Sequence, residues 1–173
     1  MIVTARLRGT PLALSDFDGL RLLESDPEVQ KTIFGVVHSA DATRERLARF
    51  VDDWARQGFG QWAFRLADGE LVGTCGLFEG RIPGSDGLEV GYMVRPVFWG
   101  RGFATEMTVA VVRFAFEHYD VPDVGAMLQP GNAASIRVLE KSGLRRKPDF
   151  LYLGEHPAAR FGVTREEWNE RGA

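Results

Sequence analysis

The stretch Glu89 to Thr105 constrains this chain most: Glu-Val-Gly-Tyr-Met-Val-Arg-Pro-Val-Phe-Trp-Gly-Arg-Gly-Phe-Ala-Thr. It reads as a strand, a short loop and a glycine-rich turn that opens onto a long amphipathic helix. That order leaves a row of backbone N–H groups at a helix N-terminus, where the helix dipole adds partial positive charge. Such a place holds a phosphate or pyrophosphate without basic side chains. Two phosphate loops are excluded. The run Gly100-Arg101-Gly102-Phe103-Ala104-Thr105 lacks the Gly-Lys-Ser/Thr ending of a Walker loop, and the third glycine of G-x-G-x-x-G would fall on Thr105. No acidic ribose partner follows at the dinucleotide distance.

The rest of the chain reads as alternating strands and helices. Thr4 to Leu14 alternates loosely as a strand. Ser15-Asp16-Phe17-Asp18 offers N-cap chemistry for a helix through Leu20, Leu22 and Leu23 toward Asp26-Pro27. Thr43 to Gln57 carries Leu47, Phe50, Val51 and Trp54 at helical spacing, with Gly58 as a stop. Trp62–Leu66 and Glu70–Phe78 are strands around the turn Ala67-Asp68-Gly69. Leu88–Val94 is the next strand, after a loop holding Pro83, Gly84 and Gly87. A helix runs from about Ala104 to His118, with Met107, Val111, Phe114 and His118 as its stripe. Val124–Leu128 is a short strand, Asn132–Ser142 a helix, and Leu151–Leu153 with Ala159–Val163 a closing hairpin. The succession predicts a mixed α/β sheet with helices on both faces.

At 173 residues, with no linker or repeat, one domain over 1–173 is expected. A net charge of −3 gives no basic field for nucleic acid or an anionic membrane. No apolar run approaches membrane-spanning length and no leader pattern opens the chain, so a cytoplasmic location is expected. The lone cysteine, Cys75, sits in an apolar strand and reads as a packed thiol. His38, His118 and His156 are scattered without ligand spacing, so no metal is expected. Trp54, Phe59 and Trp62 either wall a pocket or fill the core, with core favoured.

Trp99-Gly100-Arg101-Gly102-Phe103-Ala104-Thr105-Glu106 resembles the pyrophosphate loop of the GNAT N-acetyltransferases, in the form common in their RimJ/RimL-type branch. Trp99 stands where Gln or Arg is commoner in the wider family. Asn132-Ala133-Ala134-Ser135-Ile136-Arg137-Val138-Leu139-Glu140-Lys141-Ser142-Gly143-Leu144 resembles the second motif of that branch. Thr4-Ala5-Arg6-Leu7 is similar to its opening, Ser25-Asp26-Pro27-Glu28-Val29 to its early turn, and Phe161 to Trp168 to its closing strand and tail. These matches run in family order over nearly the whole chain.

The resemblance implies a GNAT-like central mixed, largely antiparallel sheet whose fourth and fifth strands splay apart. It implies acetyl transfer from acetyl-CoA to a primary amine by direct attack on the thioester. The backbone of Gly100, Arg101, Gly102, Phe103, Ala104 and Thr105 would take the pyrophosphate, with the Arg101 side chain either on phosphate or in solvent. Tyr92, Met93 and Val94 match the positions that pair with pantetheine, and the N–H of Val94 or its neighbour would stabilise charge on the thioester oxygen. Glu89 is the candidate base for the amine, against a structural reading as a strand carboxylate. Many relatives carry a proton-donating tyrosine two helical turns past the motif asparagine; here that position is Leu139. Ser135 is the candidate substitute, against a role in bonding its own helix. Asn132 would contact pantetheine, cap its helix, or both.

The acceptor named first is a protein or peptide N-terminal α-amine, followed by small amines. The competing class is a non-catalytic acyl-CoA-binding sensor or scaffold. Sheet edges and loops of this fold pair between subunits, which leaves a homodimer open.

Overall fold

The computed structural model of the protein describes residues 1–33, 36–80 and 82–171. Among them the strands are β1 (Ile2–Val3), β2 (Arg8–Pro11), β3 (Gln61–Arg65), β4 (Leu71–Glu79), β5 (Leu88–Val94), β6 (Asp123–Leu128), β7 (Arg145–Tyr152) and β8 (His156–Thr164). The helices are α1 (Phe17–Glu24), α2 (Pro27–Gln30), α3 (Ala40–Gln57), α4 (Phe103–His118), α5 (Ala133–Lys141) and α6 (Arg165–Glu170). The strands form one sheet in the order β1-β2-β3-β4-β5-β6-β8-β7. Every neighbouring pair is antiparallel except β5 and β6. The mixed, largely antiparallel sheet with helices on both faces is therefore as the sequence implied.

Local chemistry sets the helix ends. The Ser39 hydroxyl accepts the Ala42 N–H at 3.2 Å, so α3 starts three residues before the expected Thr43, and it stops at Gly58 with φ +76°. Of the expected strand Thr4–Leu14 only Arg8–Pro11 is extended, as β2; β1 precedes it, across a turn in which the Leu7 N–H donates to the Thr4 hydroxyl at 2.9 Å. The first expected helix is α1, entered from a 3-10 turn over Leu14–Asp16 with Asp16 at its N-cap position, and a short further helix, α2, begins at Pro27 behind the cap residue Asp26. The closing hairpin is longer than the sequence indicated. Arg145, Arg146 and Lys147 belong to β7, whose position at the sheet edge leaves such side chains in solvent. A further helix, α6, follows β8 with a capping box of Thr164 and Glu167.

Two apolar layers sandwich the sheet. On one face Leu20, Leu23, Leu47 and Phe50 of α1 and α3 pack with Ala63 and Leu71. On the other, Met107, Val111, Val112 and Ala115 of α4 pack with Cys75, Leu77, Val90 and Val94. Leu23 and Met107 are fully buried, and each such side chain stabilises the fold by roughly 2 kcal/mol. Phe59 and Trp62 are buried in the second layer, and Trp54 meets Trp62 edge to face at 4.6 Å, so these aromatics are core. Cys75 is also fully buried, and desolvation pushes its thiol far above the ordinary range. No helix among the described residues is long and apolar enough to cross a membrane.

Candidate active site

The sheet opens at one place. The parting strands are the fifth and sixth in chain order, not the fourth and fifth, because the N-terminal segment supplies two short strands. β4 and β5 stay paired from Gly73↔Val94 to Glu79↔Leu88, whereas β5 and β6 are in register only at Leu88↔Val124 and Glu89↔Gly125, after which they part. The cleft that begins there has a volume of about 670 Å³ and is lined from both faces of the sheet. The loop before α4 and the start of α5 close one half, and Phe50, Phe78, His38 and Thr32 the other.

Hydrogen-bond alternation determines which main-chain groups of β5 face this gap. The Leu77 N–H donates to the carbonyl of Gly60, just ahead of β3, so Leu77 turns its polar groups away from β5. Counting along the register, Cys75↔Tyr92 and Gly73↔Val94 are likewise non-hydrogen-bonded pairs. The N–H groups of Tyr92 and Val94 therefore point toward the β6 side, into the opening. The Val94 carbonyl there accepts the Trp99 indole N–H at 2.7 Å. Trp99, the departure from the family pattern, thus ties the end of β5 to the glycine loop. Met93 alternates the other way: its main chain faces Thr74 in β4, and its side chain packs on the α1/α3 face.

Beyond Trp99, Gly100 and Gly102 adopt φ of +74° and +80°, and Gly102 caps α4 without a side-chain bond. The first intrahelical bond is Glu106 N–H to the Gly102 carbonyl at 3.1 Å, which leaves the N–H groups of Phe103, Ala104 and Thr105 at the helix end without an intrahelical acceptor. Nothing lies within 4 Å of where a Gly100 side chain would begin. A pyrophosphate fits this open, donor-rich turn. The Phe103 ring is turned inward, edge to face with Phe98 at 5.8 Å, so only its main chain faces the cleft. The Arg101 guanidinium lies over the Phe98 ring at 5.6 Å, and its side chain is exposed.

The loop is braced from the N-terminus. Thr4 Oγ1 donates to Glu106 Oε1 at 2.6 Å, Arg6 Nη2 pairs with Glu106 Oε2 at 2.6 Å, and Arg6 Nη1 donates to the Arg101 carbonyl at 2.9 Å. Burial alone would raise the Glu106 carboxyl. The bonds from Thr4 and Arg6 outweigh it and hold the group below its ordinary value. Two sequence motifs a hundred residues apart are thus one structural unit.

On the α5 side, Asn132 Oδ1 accepts the Ser135 N–H at 3.1 Å and caps the helix, while Nδ2 donates to the Thr32 carbonyl at 2.9 Å. Gln129 Nε2 donates to the Ile33 carbonyl at 2.8 Å, so two amides strap the segment after α2 across the cleft. Ser135 lines the cleft beside Tyr92. Burial pushes the Tyr92 hydroxyl up to about 12; Ser135 is close enough to oppose that, though the pair falls short of hydrogen-bond geometry. Leu139 is 2% exposed and belongs to the core. Glu89 is 4% exposed, at the last paired position before the strands part, and lines the cleft.

Of the histidines, His118 stacks on Phe114 with ring centroids 4.0 Å apart, and His38 alone lines the cleft. No group of three or more metal-binding side chains occurs among the described residues. The sequence reading missed Trp99 as a strand clamp, the strap from Gln129 and Asn132, and the polar residues Gln61 and Thr74 on the floor. Trp99 was visible as an aromatic in a glycine loop; the others carry no local signal.

The acetyltransferase (GNAT) domain family matches residues 6–145. The FsC-acetyl coenzyme A-N(2)-transacetylase of Aspergillus fumigatus is 32% identical over 187 aligned positions, covering 95% of this chain and 76% of that protein. An acetyltransferase structure from Agrobacterium tumefaciens superposes with a TM-score of 0.81 at 25% identity, over 95% of this chain and 94% of that one. The aminoglycoside acetyltransferase AAC(6')-Ib, solved with acetyl-CoA, shares the fold with a TM-score of 0.83 at 17% identity, over 97% of this chain and 98% of its own.

Proposed function

The chain belongs to the GNAT acetyltransferases, and from that premise we propose that it is an N-acetyltransferase of the RimJ/RimL type. Residues 1–173 act as one catalytic domain that moves acetyl from acetyl-CoA to a primary amine. The acceptor named first is a peptide or protein N-terminal α-amine, with small amines next. The observation that carries the reading is the parting of β5 and β6 beside the glycine-rich start of α4. A thioester laid in that gap meets main-chain donors at both ends.

When bound, acetyl-CoA supplies an acyl thioester as the electrophile. The N–H groups of Gly100 to Thr105 hold its pyrophosphate through the helix end. The N–H groups of Tyr92 and Val94 pair with the pantetheine arm as a neighbouring strand would, and that of Val94 donates to the thioester oxygen as charge builds there. Glu89 takes the proton that an ammonium group must lose before its nitrogen can attack. The Ser135 hydroxyl donates toward the sulfur, with the Tyr92 hydroxyl behind it. Leu139 leaves no hydroxyl at the family's usual donor position, so positioning and main-chain electrostatics supply most of the rate.

The test is mass-spectrometric detection of acetyl transfer to a mixed set of N-terminal peptides, amino acids, polyamines and aminoglycosides, with acetyl-CoA binding measured in the same sample. An acetylated amine is the expected result. Binding without product from any amine would favour the non-catalytic, cofactor-sensing reading, which the absence of a tyrosine at Leu139 supports.

A further inference from the structure

The acceptor half of the cleft has an unusual floor. Gly76 of β4 and Gly91 of β5 are directly paired, so two neighbouring positions on the α1/α3 face of the sheet lack side chains. Gln61 of β3 sits opposite Gly76, and its amide lies over that glycine: a Cβ on Gly76 would stand 2.5 Å from Gln61 Nε2. Thr74 is two residues along β4 on the same face. Gln61 is 4% exposed and Thr74 1%, both line the cleft, and neither Gln61 Nε2 nor Thr74 Oγ1 has a hydrogen-bond partner. A buried donor without an acceptor is costly, and two set diagonally across β3 and β4 in one cleft wall call for a ligand oxygen.

We propose that Gln61 and Thr74 form a carbonyl-recognition subsite, so that the acceptor is an α-amino carbonyl compound: a peptide N-terminus, amino acid amide or ester. The inference rests on the transfer reaction proposed above and names the substrate class for the same cleft. Sheet geometry supports the fit. Glu89 and Gly91 of β5 mark the place of the reacting nitrogen, and the Gln61 amide lies over β4, one strand spacing of about 4.8 Å away. An α-carbonyl oxygen lies about 3 Å from its amino nitrogen. It therefore falls between the nitrogen's place and the two donors. Charge points the same way. Among the described cleft residues Glu89 is the sole carboxylate, beside Arg137, Lys141 and an Arg46 that is paired with the buried Glu24 at 2.6 Å. That lining suits an acceptor with one ammonium and a neutral oxygen and disfavours a polycation.

The experiment compares kcat/KM for three acceptors: alaninamide, isopropylamine as its carbonyl-free counterpart, and spermidine. They are run with the wild type, Thr74→Val and Gln61→Met, with acetyl-CoA affinity measured alongside. Rates are expressed per free-base amine, because an α-amino group titrates at about 8 and an alkylamine at about 10.4. On that scale the wild type is expected to prefer alaninamide over isopropylamine by about ten- to hundredfold. Each substitution should cut that ratio about tenfold, while the Kd for acetyl-CoA holds and so reports an intact fold. Equal use of isopropylamine or spermidine by the wild type would overturn the subsite while leaving the transfer reaction standing, and needs no variant. A ratio unmoved in both variants would do the same. Acetyl-CoA bound but no amine acetylated would overturn the transfer reading itself and the subsite with it.

Discussion

The two halves of the cleft are made of different materials. The half proposed for the cofactor is main chain: the outward N–H groups of β5, the positive-φ glycines 100 and 102, and the open start of α4. Its side chains serve as braces, with Trp99 on the Val94 carbonyl and Arg6 on Glu106. The half proposed for the acceptor is side chain: Gln61, Thr74 and Glu89 from three strands, Phe50 from α3 and His38 from the loop before it. Main-chain donors recognise a ligand that does not change, whereas side chains can be exchanged singly to suit a different acceptor.

Damage to the main-chain half should have the largest effect. Gly102→Glu forces a side chain onto a left-handed backbone and sets a carboxylate at the proposed pyrophosphate site. Acetyl-CoA binding should weaken by about 1000-fold, or roughly 4 kcal/mol, in calorimetric titration. Binding at wild-type strength would remove the loop from the site. Next comes Glu89→Gln, which keeps shape and burial but cannot accept a proton. It should lower kcat by about 100-fold with little change in acetyl-CoA affinity. A fall in Tm with kcat preserved would make Glu89 a structural carboxylate instead. Ser135→Ala should lower kcat about tenfold and KM little, since its backbone N–H still meets the Asn132 cap.

Legibility in the sequence follows the same division. A main-chain site needs glycines at fixed offsets, so Gly100 and Gly102 announced the loop, and Leu88–Val94 emerged with the bounds the sequence predicted. The splay was implied by the family resemblance, and alternation along β5 then distinguished Tyr92 and Val94 from Met93. The acceptor floor was invisible because Gln61, Thr74 and Gly91 come together only through sheet register. The charged start of β7 escaped notice for a related reason: at an edge, no alternating burial marks a strand. The link from Thr4 and Arg6 to Glu106 joins two recognised motifs, but sequence carries no sign that they touch.

Smaller effects sharpen the boundary between the halves. Asn132→Ala removes both the α5 cap and the tie to Thr32. It should cost about 1 kcal/mol of stability in denaturant unfolding. It should also raise KM for acceptor and cofactor alike, because the strap spans both halves. The smallest effect is acid sensitivity at the brace. The Glu106 carboxyl is held below its ordinary value in the folded chain, so its stabilisation is present above the unfolded value, near pH 4.3, and is lost as pH falls through the lower folded one. Tm of the wild type should exceed that of Glu106→Gln at pH 7, and the gap should close below about pH 4. A gap independent of pH would assign the brace to packing.

The most direct test of this division is a pair of NMR titrations on the ¹⁵N-labelled protein, one with acetyl-CoA and one with alaninamide in the presence of CoA. Acetyl-CoA should shift the backbone amides of Tyr92, Val94 and Gly100 to Thr105, and leave the Gln61 side-chain amide in place. Alaninamide should then move the Gln61 side-chain amide. Backbone amides at Val94 and the glycine loop that stay still while acetyl-CoA binds would contradict the account.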